Sequence, residues 1–160
     1  MRKVIVNSTP LIILCNIGEI DILRKLYGEI VIPEAVYMEV TAKKDSACRQ
    51  ITTADWIHME RIKNSSDKKM YKAKLHDGEV EVMILAQEED KADLVIIDDN
   101  AAKKTAKYLG LTVTGTIGVL LKAKRNGIIR EIRPVLDDMK RKGFYISNSL
   151  EQRILAQAGE

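Results

Sequence analysis

Short runs of branched apolar residues, separated by segments long enough to form helices, constrain the fold of this chain more than any other feature. Residues 3–6 form the first run, and the polar sequence from Asn7 to Pro10 interrupts it. The same pattern predicts strands at residues 29–32, 56–62, 93–97 and 111–114. Parallel strands need crossover connections of about a dozen residues or more, which are usually helical. We therefore predict a three-layer α/β fold with a parallel sheet between helices.

The segments between the predicted strands carry helical start and stop signals. Ser8 or Thr9 is the expected cap of the first helix, which Gly18 ends. Asp98 or Asp99 is the expected cap of a later helix that ends near residue 110. Further helices are expected at residues 20–27, 33–40, 77–86, 116–125, 134–142 and 149–158. The pattern is weakest over residues 43–76, where residues 64–74 form a candidate flexible segment.

The composition is that of an ordinary globular protein. The chain has 160 residues, of which 46% are apolar and 31% charged, which fits one domain over residues 1–160 and excludes disorder or a coiled-coil array. Apolar runs such as residues 11–15 are too short to span a bilayer, and the first residues lack a long apolar signal segment. We therefore expect a soluble cytoplasmic protein with no membrane partner.

Charge is distributed unevenly along the chain. The net charge is +3, from 26 Lys and Arg against 23 Asp and Glu. Residues 1–100 carry 14 basic and 18 acidic side chains, whereas residues 101–160 carry 12 and 5. The acidic part is suited to divalent cations and the basic part to a phosphate backbone, although solvation of helix faces also explains many of these charges.

Polar residues follow several predicted strands directly. In open α/β sheets, ligands bind beyond the carboxyl ends of the strands. The residues that follow the first, fourth and fifth predicted strands include Asn7, Ser8, Thr9, Asp98, Asp99 and Thr116. Glu39 lies in the helix after the second strand, and Glu79 and Glu81 lie near the start of the helix before the fourth. We therefore expect several carboxylates to converge at one edge of the sheet.

Each carboxylate also has a purely structural interpretation. Asp99 is suited to cap a helix, Glu79 is favoured at a helix N-terminus, and Glu39 is an ordinary solvated helix residue. Glu79 and Glu81 are separated by about 200° around a helix, so we expect one of them to face away from the site.

Other common chemistries lack their sequence signatures. The chain contains neither the phosphate-binding loop nor the dinucleotide fingerprint. Its two histidines are too few for a zinc site, and its two cysteines match no zinc spacing.

Taken together, these segments resemble the PIN domain, and most closely a prokaryotic PIN-like family related to the VapC toxins. The resemblance covers essentially the whole chain and rests on Glu39 together with residues 6–12, 31–33, 78–81, 96–100 and 113–118. It implies a sheet of order 3-2-1-4-5 with acidic residues at its carboxyl edge. It also implies a ribonuclease that uses Mg²⁺ or Mn²⁺, with an antitoxin protein as a further partner and a homodimer as the oligomeric state.

The resemblance also assigns roles to particular residues. Asn7 takes the first metal-ligand position, Glu39 the second, Glu79 the third and Asp99 the fourth, with Glu39, Glu79 and Asp99 as the catalytic acids. The alternatives for the acidic positions are Glu81 and Asp98. Hydroxyl residues at the edge of the site are Ser8, Thr9 and Thr116.

Basic residues of the final sixty positions are expected to hold the RNA backbone: Lys103, Lys104, Lys122, Lys124 and Arg125. Such contacts give affinity rather than sequence preference.

Asn7 departs from the family pattern, which has an aspartate at this position. The Asn7 amide oxygen can coordinate a cation, but it carries no charge and accepts no proton at neutral pH. Two functions therefore stay open. One is a metal-dependent ribonuclease, and the other is a catalytically inactive PIN-like protein that binds nucleic acid or a protein partner.

Overall fold

Five parallel strands form the centre of the molecule, in a computed structural model that describes residues 3–65, 68, 75–88 and 91–160. The spatial order is β3-β2-β1-β4-β5. The strands are β1 (Val4–Val6), β2 (Ile30–Pro33), β3 (Ile57–Glu60), β4 (Leu94–Ile96) and β5 (Val113–Thr114). All four pairings are parallel, which confirms the predicted sheet and its order.

Nine helices in the described part of the chain flank the sheet and complete a three-layer α/β fold. They are α1 (Ser8–Asn16), α2 (Asp21–Tyr27), α3 (Glu34–Val40), α4 (Ser46–Thr53), α5 (Asp77–Gln87), α6 (Asn100–Tyr108), α7 (Thr116–Arg125), α8 (Arg133–Arg141) and α9 (Asn148–Gln157). No helix in these ranges is long and apolar enough to cross a bilayer.

Two local predictions were wrong. The cap of α1 is Asn7 rather than Ser8 or Thr9, because the chain leaves β1 in an extended conformation at Asn7 and is already helical at Ser8. Helix α4 lies in the region of weakest pattern, where no helix was predicted. Asp45 caps it by accepting the Cys48 N–H at 2.9 Å. The predicted flexible segment, residues 64–74, lies mostly outside the described residues.

The central strands are buried on both faces. Val4, Ile5 and Val6 of β1 are fully buried, and so are Val95 and Ile96 of β4. Helices must cover both faces of such a sheet, which explains why these strands are continuously apolar rather than alternating.

The strand register brings three chain segments to one edge of the sheet. Val6 pairs with Ile96, and Ile96 pairs with Thr114. The Asn7 N–H donates to the Ile96 carbonyl at 2.9 Å, which extends the β1–β4 ladder by one residue. The polar residues that follow β1, β4 and β5 therefore begin at the same level of the sheet.

The Glu160 carboxylate holds the start of α8. It accepts the Ile132 N–H at 2.7 Å, the Arg133 N–H at 3.1 Å and a hydrogen bond from Lys124 Nζ at 2.8 Å. Burial raises the pKa of Glu160, but these three hydrogen bonds outweigh it, so the pKa lies below its ordinary value. A carboxylate at a helix N-terminus is also favoured by the helix dipole.

We expect Glu160→Gln to lower the free energy of unfolding by about 1 kcal/mol at neutral pH, because an amide forms weaker hydrogen bonds and loses the ion pair. The folded-state pKa is lowered, so this contribution is present above the ordinary value of 4.5 and disappears as the pH falls through the folded-state pKa. Urea unfolding of both proteins at neutral and acidic pH measures the difference.

Glu131→Gln is the control, since it removes an exposed neighbouring carboxylate. We expect it to change stability by less than about 0.5 kcal/mol. A Glu160→Gln effect of equal size at both pH values would contradict an electrostatic role.

Candidate metal site

Asn7 presents an unusual buried oxygen. Its side chain is only 4% exposed, and Oδ1 has no hydrogen-bond partner among the described residues. A buried acceptor without a partner costs about 1–3 kcal/mol, so native proteins rarely retain one without a reason. An amide oxygen of this kind is a suitable ligand for a cation.

The Glu39 carboxylate and the Asn7 amide oxygen both lie against Gly78. A Cβ atom placed on Gly78 would lie 3.3 Å from Glu39 Oε2 and 3.4 Å from Asn7 Oδ1, so both oxygens lie against the same glycine. The Ser8 hydroxyl donates to Glu39 Oε2 at 2.8 Å. Glu39 as a whole is exposed, so its carboxylate is fixed at one oxygen and still accessible from solvent.

An acidic cavity of about 550 Å³ opens beside these residues. It is lined by Glu34, Ala35, Met38, Glu39, His76, Asp77, Gly78 and Glu81. Four of these residues carry carboxylates, and that of Glu34 is paired with Arg61 at 2.6 Å. The cavity therefore favours positively charged ligands.

Glu79 and Glu81 are both buried. Glu79 Oε1 accepts the His76 N–H at 2.9 Å and so stabilises the start of its own helix, α5. Glu81 Oε1 accepts the Ala35 N–H at 2.9 Å, and Glu81 Oε2 lies 2.6 Å from Lys68 Nζ. Glu81 lines the cavity.

The charge of Lys68 is stabilised by this cavity. Its hydrogen bond to Glu81 raises the pKa of the Lys68 ammonium, against partial desolvation and with support from Asp77 and Glu34. Lys68 therefore stays protonated at neutral pH.

Asp98 and Asp99 follow β4 and have different partners. Asp98 accepts the Thr116 N–H and the Thr116 hydroxyl, each at 2.7 Å, which links the ends of β4 and β5. Asp99 accepts the Ala102 N–H at 2.9 Å and caps α6. Lys103 Nζ lies in the same region, 2.8 Å from the position of a Cβ on Gly115.

Of the other predicted site residues, some are exposed and others contact neighbouring side chains. Thr9, Lys104 and Arg125 are exposed. Lys122 Nζ lies over the Tyr27 ring, 5.0 Å from its centre. Lys124 pairs with Glu160 and also donates to the Ala158 carbonyl, so it has structural partners.

The family of this chain follows from its sequence as a whole. A family model described as DUF3368, a PIN domain, matches residues 3–160. The chain belongs to the PIN-domain family. The PIN fold is a nuclease-type fold, and PIN domains generally depend on a divalent metal. A comparison with curated proteins gives no match.

Two oxygens of this PIN domain are of the type that divalent metal ions bind. Mg²⁺ is held in proteins by oxygen atoms, keeps several water molecules and needs only one or two carboxylates. Asn7 Oδ1 and Glu39 Oε2 supply one neutral and one charged oxygen of this kind. In the described part of the chain, no three His, Cys, Asp or Glu side chains are grouped to hold a metal ion.

Two features of the site had no clear sequence signal. The sequence places Gly78 at a helix start and in the segment 78–81 of the family resemblance, and the structure adds that it lies against the Asn7 and Glu39 oxygens. Lys68 was assigned no role, because its pairing with Glu81 depends on a contact between separate segments.

We expect Gly78→Ala to weaken Mn²⁺ binding by at least about tenfold, because the added methyl group would press against Asn7 Oδ1 and Glu39 Oε2. The thermal stability of the metal-free protein should change little, since Ala is a better helix former than Gly. Titration followed by the Mn²⁺ electron paramagnetic resonance signal measures the affinity. An unchanged affinity would show that this oxygen pair does not bind the ion.

Proposed function

We propose that this PIN-domain protein is a divalent-metal-dependent ribonuclease that hydrolyses RNA phosphodiester bonds. The observation that carries the proposal is the pairing of the partnerless Asn7 oxygen with the accessible Glu39 carboxylate beside Gly78. Both oxygens lie in an acidic region at the carboxyl end of β1, where parallel α/β folds bind their ligands.

Asn7, Glu39 and Ser8 would have different roles in such a reaction. Mg²⁺ or Mn²⁺ bound by Asn7 and Glu39 would make water more acidic and stabilise negative charge on the phosphate. The Glu39 carboxylate, oriented by the Ser8 hydroxyl, can accept a proton from the attacking water. Asn7 orients and binds but accepts no proton.

Exposed basic residues of the C-terminal part support RNA as the substrate. Lys104 on α6 and Arg125 at the end of α7 are both exposed and free to contact phosphates. Lys103 Nζ and Asp98 Oδ1 both lie against Gly115. We do not include Lys124 in this surface, because it pairs with Glu160.

The proposal extends to the biological setting. A VapC-like toxin acting in the cytoplasm, held by an antitoxin protein and active as a homodimer, is the setting that the sequence resemblance supports. We also propose that residues 1–160 act as one domain, and the family match over residues 3–160 supports this.

A second candidate function is a catalytically inactive PIN-like protein that binds nucleic acid or a protein partner. Two observations favour it. Asn7 lacks the charge of the aspartate expected at its position, which weakens attraction for a divalent ion by a few kcal/mol at most at an effective dielectric constant near 20. Glu79, Glu81, Asp98 and Asp99 also already accept hydrogen bonds within the protein.

Incubation with single-stranded RNA and Mn²⁺ separates the two functions. We expect cleavage by the wild-type protein and faster cleavage by Asn7→Asp, because the variant adds a charged ligand beside Glu39. Asn126→Asp is the matched control, since it adds the same charge at an exposed position after α7. Cleavage gained only in Asn7→Asp would favour the inactive binding protein, and no cleavage by either would refute the ribonuclease proposal.

Because the family resemblance assigns Asp99 to the catalytic acids, we expect Asp99→Asn to reduce metal-dependent cleavage by at least about a hundredfold. Asparagine is as good a helix cap as aspartate, so α6 should keep its N-terminus and the change should isolate the charge. Circular dichroism checks the fold and single-turnover kinetics measure the loss. An unchanged rate would remove Asp99 from the catalytic group.

A further inference from the structure

A positive charge of the protein itself is paired with Glu81, which lines the acidic cavity. Lys68 Nζ lies 2.6 Å from Glu81 Oε2, and the Lys68 and Glu81 side chains are 28% and 7% exposed. The other oxygen, Glu81 Oε1, accepts the Ala35 N–H. Both oxygens of this buried carboxylate are therefore engaged.

A buried carboxylate is stabilised by such a partner. Removing one member of a buried ion pair leaves an uncompensated charge, which is strongly destabilising. Glu34 and Asp77 also line the cavity and add negative charge around Glu81. A cation close to Glu81, whether an ammonium group or a metal ion, therefore stabilises its charge.

The oxygens beside Gly78 and those of Glu81 differ in whether they already have a partner within the protein. Asn7 Oδ1 has no partner among the described residues, and Glu39 is accessible from solvent. Glu81, by contrast, has its cation within the chain.

We infer that the Lys68 ammonium occupies the cation position at Glu81 and keeps divalent ions off this carboxylate. The consequence is a site that takes one divalent ion, through Asn7 and Glu39, rather than the two ions about 3.5–4 Å apart that many nucleases use. The binding of one ion through Asn7 and Glu39 rests on the proposed function, whereas the exclusion of ions from Glu81 does not depend on it.

The test is the number of Mn²⁺ ions bound per chain, measured by equilibrium dialysis and by the electron paramagnetic resonance signal of free Mn²⁺. We expect one ion in the wild-type protein and one additional ion in Lys68→Met, because the unpaired Glu81 carboxylate then becomes available. The double variant Lys68→Met with Glu81→Gln should lose the additional ion.

Two further variants keep the test decisive if Lys68→Met folds poorly. Lys68→Arg retains the charge and should bind the same number of ions as wild type. Glu81→Gln alone should retain the wild-type ion with unchanged affinity. Lys107→Met, which removes an exposed ammonium on α6, is the control for a general change in charge and should have no effect.

The outcomes separate this inference from the proposed function. No additional ion in Lys68→Met, two ions in the wild type, or loss of the wild-type ion in Glu81→Gln would each overturn the exclusion of ions by Lys68. No ion in the wild type, with one in Lys68→Met that depends on Glu81, would support the exclusion and overturn the metal site at Asn7 and Glu39.

Discussion

The candidate site depends on one backbone hydrogen bond, from the Asn7 N–H to the Ile96 carbonyl. It continues the β1–β4 ladder one residue beyond Val6 and fixes Asn7 in an extended conformation with its side chain buried. A slip of one residue in this register would turn the Asn7 side chain to the other face of the sheet. Because β1 is the central strand and is completely buried, its register is strongly constrained by packing on both faces.

Charge compensation explains most of the polar contacts around this position. A carboxylate taken out of water needs hydrogen bonds or an opposite charge. Glu79 obtains a backbone N–H from His76, Glu81 obtains Lys68, and Asp98 obtains two hydrogen bonds from Thr116. A neutral asparagine at position 7 is therefore less costly to bury without a cation than a charged aspartate would be.

Most of the secondary structure could be predicted from local sequence signals. The strands were predicted to within a few residues. Strands β1, β2 and β4 are short branched apolar runs, whereas β3 and β5 also contain polar residues. Helix α4 escaped prediction, because only Ala47 and Ile51 of this helix are buried and the rest of its sequence is polar. Its stability comes from the Asp45 cap and from packing on α1 and α3, which local periodicity does not reveal.

The candidate site could be predicted only in part. The positions of polar residues after β1, β4 and β5 were evident from the sequence, and the parallel sheet explains why they share an edge. The helical spacing of Glu79 and Glu81 predicted that one would face away from the site. Glu81 lines the cavity, whereas Glu79 accepts a hydrogen bond at the start of its own helix, and both are buried. Helix α5 packs against α3 and against the sheet, so it offers buried surroundings to both side chains.

The sequence by itself determined the order of strands and helices, the family and the residue types available at the sheet edge. The strands and helices follow from short-range patterns along the chain, and the family follows from the sequence as a whole. Only the tertiary structure decided that Asn7 and Glu39 lie together against Gly78, and that Glu81 pairs with Lys68. The physical reason is that these contacts join residues from separate elements, whose distances are set by strand register and helix packing rather than by their spacing in the sequence.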